Sequence, residues 1–315
     1  MTPTMGTTRK SFLLLALVLC LDRGAATGES TPLRLPPSPR IIAIGDLHGD
    51  LDATRRALRL AGAIDERDRW VGEDLVVVQT GDQLDRGDDE QAILELFAQL
   101  AEEAAQTGGA VHALNGNHEL MNAAFDLRYV TPGGYTDFRD AVEVDSTDVS
   151  LHSYPDSVRA RIVAFRPGGR YARVLAQRNV VLIIGDNVFV HGGVLPEHVA
   201  YGIDRTNAEV RAWLLGEGPK PESILKKGSL VWARNYSDDV DEADCATLRL
   251  VLEALSAKRM VVGHTVQEGG IRSYCDGRVW CIDAGMSAHY GGEVEVLEIV
   301  GDSLTVLKAA GGITH

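Results

Sequence analysis

The feature that most constrains this chain is a polar loop that recurs at the ends of short apolar runs. Ile41-Ile42-Ala43-Ile44 runs into Gly45-Asp46-Leu47-His48-Gly49, Leu75 to Val78 leads to Gly81-Asp82-Gln83-Leu84-Asp85-Arg86-Gly87, and Ala110 to Leu114 leads into Asn115-Gly116-Asn117-His118-Glu119. Short apolar runs punctuated by Gly and Asp read as buried strands. Leu51 to Ala61 and Glu90 to Gln106 carry helical spacing, the second closed by Gly108-Gly109. The order is therefore strand, loop, helix, three times over. Two more polar loops follow, His191-Gly192-Gly193 and Gly263-His264-Thr265. Sheets of this kind collect ligands at the carboxyl ends of their strands, and a Gly beside each polar residue permits a tight turn.

Later apolar runs, Val180 to Ile184, Val188 to Val190, Met260 to Val262, Val279 to Ile282, Val294 to Ile299 and Leu304 to Lys308, are in part joined by short turns such as Gly185-Asp186-Asn187 and Gly301-Asp302-Ser303. These read as antiparallel hairpins. The mixture predicts an α/β fold, a sandwich of mixed sheets with helices outside, rather than one doubly wound sheet. Between Met121 and Arg178 no comparable strand pattern appears, and Pro132-Gly133-Gly134 and Pro167-Gly168-Gly169 punctuate the stretch. Residues 122–180 are predicted to form a helical insertion over one end of the sheet.

The 315 residues carry a formal charge of -14, which argues against a general nucleic-acid surface, because phosphate backbones are held by clustered Lys and Arg. A metal site supplies local positive charge whatever the net charge. The N-terminus reads Arg9-Lys10, an apolar run from Phe12 to Leu21, then Gly24-Ala25-Ala26-Thr27, the layout of a cleaved secretory signal over residues 1–27. Its ten apolar residues fall short of the ~20 of a spanning helix. The mature chain is therefore expected to be secreted or periplasmic, without stable membrane association. Pro- and Ser-rich residues 28–39 read as a linker to a catalytic domain over 40–310. Beyond the signal lie Cys245, Cys275 and Cys281. Cys275 and Cys281 flank Asp276-Gly277-Arg278 and could bridge a hairpin in an oxidising compartment; three free thiols is the equal alternative.

A single Asp or His at a strand end is as readily a cap or turn residue as a ligand. Five such loops together contribute Asp46, His48, Asp82, Asn117, His191 and His264, an oxygen and nitrogen donor set suited to borderline divalent ions. Its lack of thiolate fits manganese, iron or zinc better than copper. The block order resembles the metallophosphoesterase superfamily, and within it the phosphoprotein phosphatase family, especially its Shewanella-like branch, over nearly all of residues 41 to 300. The resemblance implies a calcineurin-like β-sandwich holding two divalent ions, with Asp46 and His48 on the first, Asp82 bridging both, and Asn117, His191 and His264 completing the second. Two such ions clamp phosphoryl oxygens and lower the pKa of a water towards ~7, so that water attacks and no covalent enzyme intermediate is implied. By the same resemblance His118 is the general acid, Asp85 the carboxylate that orients it, and Arg86 a phosphate-binding residue together with Asn117. Arg234, in Val231-Trp232-Ala233-Arg234, is the second phosphate arginine.

The sequence departs from the serine/threonine branch in two places. Asn115 stands where that branch carries Arg before Gly-Asn-His-Glu, and Ser287-Ala288-His289-Tyr290 replaces Ser-Ala-Pro-Asn-Tyr, which makes Tyr290 a candidate site residue. Both departures point to the Shewanella-like branch, which implies protein phosphatase activity leaning towards phosphotyrosine. A hydrolase of small phosphorylated metabolites, dinucleoside polyphosphates or polyphosphate is the alternative enzyme. Its specificity would lie in the 122–180 segment, with Arg128, Tyr129, Tyr135 and Arg139. A phosphopeptide-binding pseudophosphatase is the non-enzyme alternative, disfavoured because every ligand and the acid are present.

Overall fold

The computed structural model describes residues 31–308; the expected signal segment lies outside them. Strands β1 (Arg34–Leu35), β2 (Ile41–Ile44), β3 (Val76–Gln79) and β4 (Ala110–Ala113) are joined with helices α1 (Leu51–Leu60) and α2 (Glu90–Ala105) between the last three. Next come α3 (Asn117–Ala123), α4 (Pro132–Asp137), a 3-10 turn at Val149–Leu151, α5 (Asp156–Phe165) and α6 (Arg170–Leu175). A hairpin of β5 (Val181–Ile184) and β6 (Asn187–Val190) leads to α7 (Pro196–Tyr201), α8 (Ile203–Leu215) and α9 (Glu242–Ala254). The described residues end in β7 (Arg259–Val262), the hairpin β8 (Arg272–Tyr274) and β9 (Val279–Cys281), and the hairpin β10 (Glu295–Val300) and β11 (Ser303–Lys308).

The strands form two mixed sheets, β1-β5-β6-β7-β9-β8 and β11-β10-β2-β3-β4. Strand alternation explains how they stack. In β2, Ile41 and Ala43 face a layer shared with Leu182, Ile184, Phe189 and Val261 of the other sheet, whereas Ile42 and Ile44 face Ala53, Ala57 and Leu58 of α1. Period-2 side chains that are apolar on both faces bury both faces, so this strand reads as an unbroken apolar run. Its sister sheet does the same: Val181 and Ile183 turn away from the sandwich into a cluster with Phe165, Tyr171, Trp213 and Leu248 of the outer helices.

Three differences from the sequence reading have physical reasons. The stretch expected to be linker contributes β1, whose Arg34 and Leu35 pair in parallel with Ile183 and Ile184; two residues are too short a run for any periodicity to register. β8 was not foreseen, because Arg272-Ser273-Tyr274 is polar. The disulfide joins Cys245 to Cys275 across 30 residues, while Cys281 is free and buried. The foreseen hairpin exists, but its register pairs Cys281 with Arg272 and leaves Cys275 in the turn, where it meets α9. Cys281 instead points into the core, with its thiol 3.2 Å from the Tyr236 carbonyl, and burial pushes it up to about 12. Residues 122–180 hold helices and no strand among the described residues.

Candidate metal centre and acid site

All the polar loops converge, because the strands that precede them run parallel in both sheets. β2, β3 and β4 are parallel neighbours, as are β6, β7 and β9, so Asp46, Asp82, Asn117, His191, His264 and also Asp283 leave from carboxyl ends. The first two loops are stitched by backbone bonds from Leu47 and His48 amides to the Asp82 carbonyl at 3.0 and 2.9 Å. Close approach demands Gly here: a Cβ on Gly49 would lie 2.7 Å from the Gly87 backbone, and one on Gly81 2.7 Å from Gly116 Cα. Five site residues, His48, Asp82, Asp85, Arg86 and His264, adopt left-handed φ values between 46° and 68°. This conformation costs about 1–2 kcal/mol per non-Gly residue and persists only where surrounding structure over-determines it.

Glu119 supplies part of that constraint. Its buried carboxylate accepts from the amides of Asp82, Gln83, Leu84 and Gly116 at 2.7–3.3 Å, clamping the second polar loop to the third. The sequence displayed Glu119 beside His118 but gave it no role.

Among the described residues, two groups of three could each hold an ion: His48, Asp82 and His118, and Asp82, His191 and His264, with ligand atoms within 4.8 Å in each. Both share Asp82, as a bridging carboxylate requires. His48 Nδ1 faces the Leu84 carbonyl at 3.1 Å and His191 Nδ1 the Thr80 carbonyl at 3.0 Å. A ring whose Nδ1–H is so donated presents its Nε2 lone pair inward, the usual support of a metal-binding imidazole. His191 Nε2 accordingly lies 3.1 Å from Asp82 Oδ2 and 2.9 Å from Asn117 Oδ1. His264 Nε2 is buried with no hydrogen-bond partner. Burial, with repulsion from His118, pushes His48 down to about 3, and burial with His191 and Arg234 pushes His264 down to about 2, so both rings are neutral and able to ligate.

The carboxylates tell the same story. Asp46 lies 3.9 Å from both His48 Nε2 and His191 Nδ1 and accepts from the His264 amide. Burial and the neighbouring charges of Asp283 and Asp82 raise it well above the carboxylate range, and Asp283 is raised to about 6, mainly by burial. Asp82 is held low despite burial, by His191 and His118. Crowded buried carboxylates beside an orphaned imidazole nitrogen fit divalent cations, which relieve both costs.

His118 stands beside this cluster with its ring turned the other way. Nδ1 lies 2.5 Å from Asp85 Oδ2 and Nε2 3.7 Å from Asp82 Oδ2. Burial opposes a charged ring, but Asp82 and Asp85 outweigh it and hold His118 above the ordinary 6.5. Arg86 lies 3.5 Å from His48 Nε2, and its guanidinium carbon sits 5.1 Å from the ring centres of both Tyr129 and Tyr290. Tyr129 also packs 5.1 Å from the His118 ring, and the Tyr290 loop is anchored by the Ala288 amide on Asp50 at 2.7 Å. Arg234 binds Thr265 Oγ1 at 2.8 Å and faces a cleft of about 700 Å³ lined in part by Met121, Asp126, Arg128, Lys227, Trp232 and Asp238. Tyr135 donates to the Leu127 carbonyl at 3.1 Å and Arg139 is exposed, so of Arg128, Tyr129, Tyr135 and Arg139 only the first two reach this region. Asn115 is buried and donates to the Leu175 and Arg178 carbonyls, a tie to the helical segment.

Comparison with known proteins agrees with this fold. Residues 39–268 match the family described as calcineurin-like phosphoesterase. The chain is 40% identical to Shewanella-like protein phosphatase 2 of Arabidopsis thaliana, covering 89% of this chain and 80% of that one. It is 30% identical to Shewanella-like protein phosphatase 1 of Plasmodium berghei, over 80% and 69%. The solved structure of a cold-active protein-tyrosine phosphatase of a psychrophilic Shewanella species superposes with a TM-score of 0.71 at 25% identity, covering 89% of this chain and 83% of that one. The chain therefore belongs to the calcineurin-like phosphoesterases, among the Shewanella-like protein phosphatases, and is a metal-dependent phosphoester hydrolase.

Proposed function

We propose that this hydrolase is an exported protein phosphatase that prefers phosphotyrosine. The observation that carries the preference is the mouth of the site, where Arg86 stacks between Tyr129 and Tyr290 beside His118. Arginine binds phosphate oxygens through its planar donors, and two flanking rings offer an aromatic substrate side chain faces to pack against. The printed names of the relatives, protein phosphatases and a protein-tyrosine phosphatase, support the same reading.

In this reading Asp82 would be shared between two divalent ions, with Asp46 and His48 as the further donors that would hold one, and Asn117, His191 and His264 those that would hold the other. Bound there, manganese, iron or zinc supplies Lewis acidity towards the phosphoryl oxygens and an activated water. Arg86, Asn117 and Arg234 orient the phosphoryl group. As the bond from phosphorus to the leaving oxygen breaks, His118 delivers the proton from Nε2 to that oxygen while Asp85 keeps Nδ1–H. Export rests on the N-terminal Arg9-Lys10 and the apolar run behind it; sequencing the N-terminus of the purified protein tests it, and an intact Met1 in the cytosol contradicts it.

A panel of phosphotyrosyl peptide, phosphoseryl peptide and a dinucleoside tetraphosphate tests the substrate. The expected kcat/KM is ~10-fold or more higher on phosphotyrosine than on phosphoserine, about 1.4 kcal/mol of transition-state discrimination. Faster turnover of the dinucleotide than of either peptide would refute the assignment.

A further inference from the structure

Arg161 lies in α5, within the helical segment, and is fully buried. All five of its N–H donors are engaged. Nε donates to Asn122 Oδ1 at 2.7 Å, Nη1 to Glu90 Oε2 and to the Gly134 carbonyl at 2.8 Å, and Nη2 to Glu90 Oε1 at 2.8 Å and Asp85 Oδ1 at 3.1 Å. The guanidinium carbon sits 5.3 Å from the ring centres of Phe138 and Phe165. Glu90 Oε1 also accepts from the Asp85 amide, and Asn122 Nδ2 donates both to Asp85 Oδ1 and to the His118 carbonyl at 2.9 Å.

The bonds divide by what they can accomplish. Docking the helical segment onto α2 needs only Glu90, and the bond to Gly134 stays within that segment. The bond to Asp85 goes to the one carboxylate oxygen that His118 leaves free, and Asn122 meets Arg161, Asp85 and His118 together. Resting on the reading of His118 as proton donor, we propose that Arg161 is a positioning residue for the general acid: it fixes the Asp85 carboxylate so that His118 Nε2 stays aimed at the leaving oxygen. Without it, Asp85 keeps a single side-chain donor besides the ring and is left as a buried anion short of a counter-charge. A displacement of about 1 Å in a reacting group costs ~10²-fold. Lysine does not substitute, since three donors on one nitrogen cannot span Asp85, Glu90, Gly134 and Asn122.

The test uses the metal-loaded full chain with nitrophenyl phosphate and an alkyl phosphate. Arg161→Met is expected to keep the wild-type metal content and to lose ~10²-fold in kcat on the alkyl phosphate, with a much smaller loss on nitrophenyl phosphate, whose leaving group needs little protonation. Asp85→Asn should show the same selectivity, and the double variant should be no worse than Asp85→Asn alone, because both act through one ring. Equal losses on the two substrates, or additive losses in the double variant, would overturn the proposal and leave Arg161 a tie for the helical segment. Should Arg161→Met not fold, Arg161→Lys decides: selective loss on the alkyl phosphate supports the proposal, and full activity or uniform loss overturns it. An unselective Asp85→Asn refutes the acid reading itself, and a selective Asp85→Asn beside an unselective Arg161→Met refutes only the role of Arg161.

Discussion

The two halves of the centre are held in different ways. On the metal side, His48 and His191 are oriented by backbone carbonyls of Leu84 and Thr80, and those carbonyls belong to the loop and strand end that the parallel sheet itself fixes. On the acid side, His118 is oriented by Asp85, and Asp85 by Asn122 and Arg161, a relay of side chains that crosses to a helix 76 residues away. A ring pinned by backbone survives most single substitutions, whereas one pinned by side chains fails one link at a time. The acid half should therefore be separable by mutation while the metal half answers as a unit.

The largest expected effect breaks the metal half outright. Chelation should abolish turnover, and manganese should restore it, because the thiol-free donor set suits borderline divalent ions; full activity in metal-stripped protein would sink the mechanism. Next, His118→Asn should lower kcat ~10²–10⁴-fold, the usual worth of a positioned acid, with the smaller loss on nitrophenyl phosphate. Equal losses on aryl and alkyl substrates would make His118 structural. Glu119→Gln sharpens the comparison, since it touches the metal half through backbone rather than through a ligand. Replacing one carboxylate oxygen with a donor opposes the four amides it now gathers, and the expected result is a ~10–100-fold weaker metal affinity, the range of second-layer substitutions at metal sites. An unchanged metal titration would show that the loops hold themselves.

The same contrast explains what could be read from the sequence. The six strand-end candidates, with Asp85, His118 and Arg86, could be picked out of the sequence because each sits in a short Gly-containing motif that follows an apolar run, and the structure brings them together. Asp283 follows an equally apolar run, Val279 to Ile282, and was visible but not given a part. Arg161 was not legible: it is one of several arginines in a segment without strand pattern, and its partners Glu90 and Asn122 lie on other helices. Glu119 failed for the opposite reason, standing inside a motif in which the adjacent His118 drew the chemistry. The cysteine pairing was misread because spacing alone does not give hairpin register, and one offset moved Cys275 out to α9.

That disulfide provides the smallest expected effect on catalysis. Cys245→Ser opens a link spanning 30 residues, and in the chain-entropy account it should cost ~3–4 kcal/mol of stability, read as a lower denaturation midpoint. Since neither sulfur belongs to the metal or acid half, kcat on nitrophenyl phosphate should stay at the wild-type value; a large fall would extend the site to α9.

The most direct test of the central account is the metal content per chain of Asp82→Asn beside His118→Asn. Geometry groups both residues with His48 and does not by itself say which of them is a ligand. A carboxylate shared by two ions and an imidazole committed to Asp85 predict that Asp82→Asn loses metal and turnover together, while His118→Asn retains the two ions of the wild type. Metal retained by an active Asp82→Asn, or lost from His118→Asn, would contradict the division of the centre into these two halves.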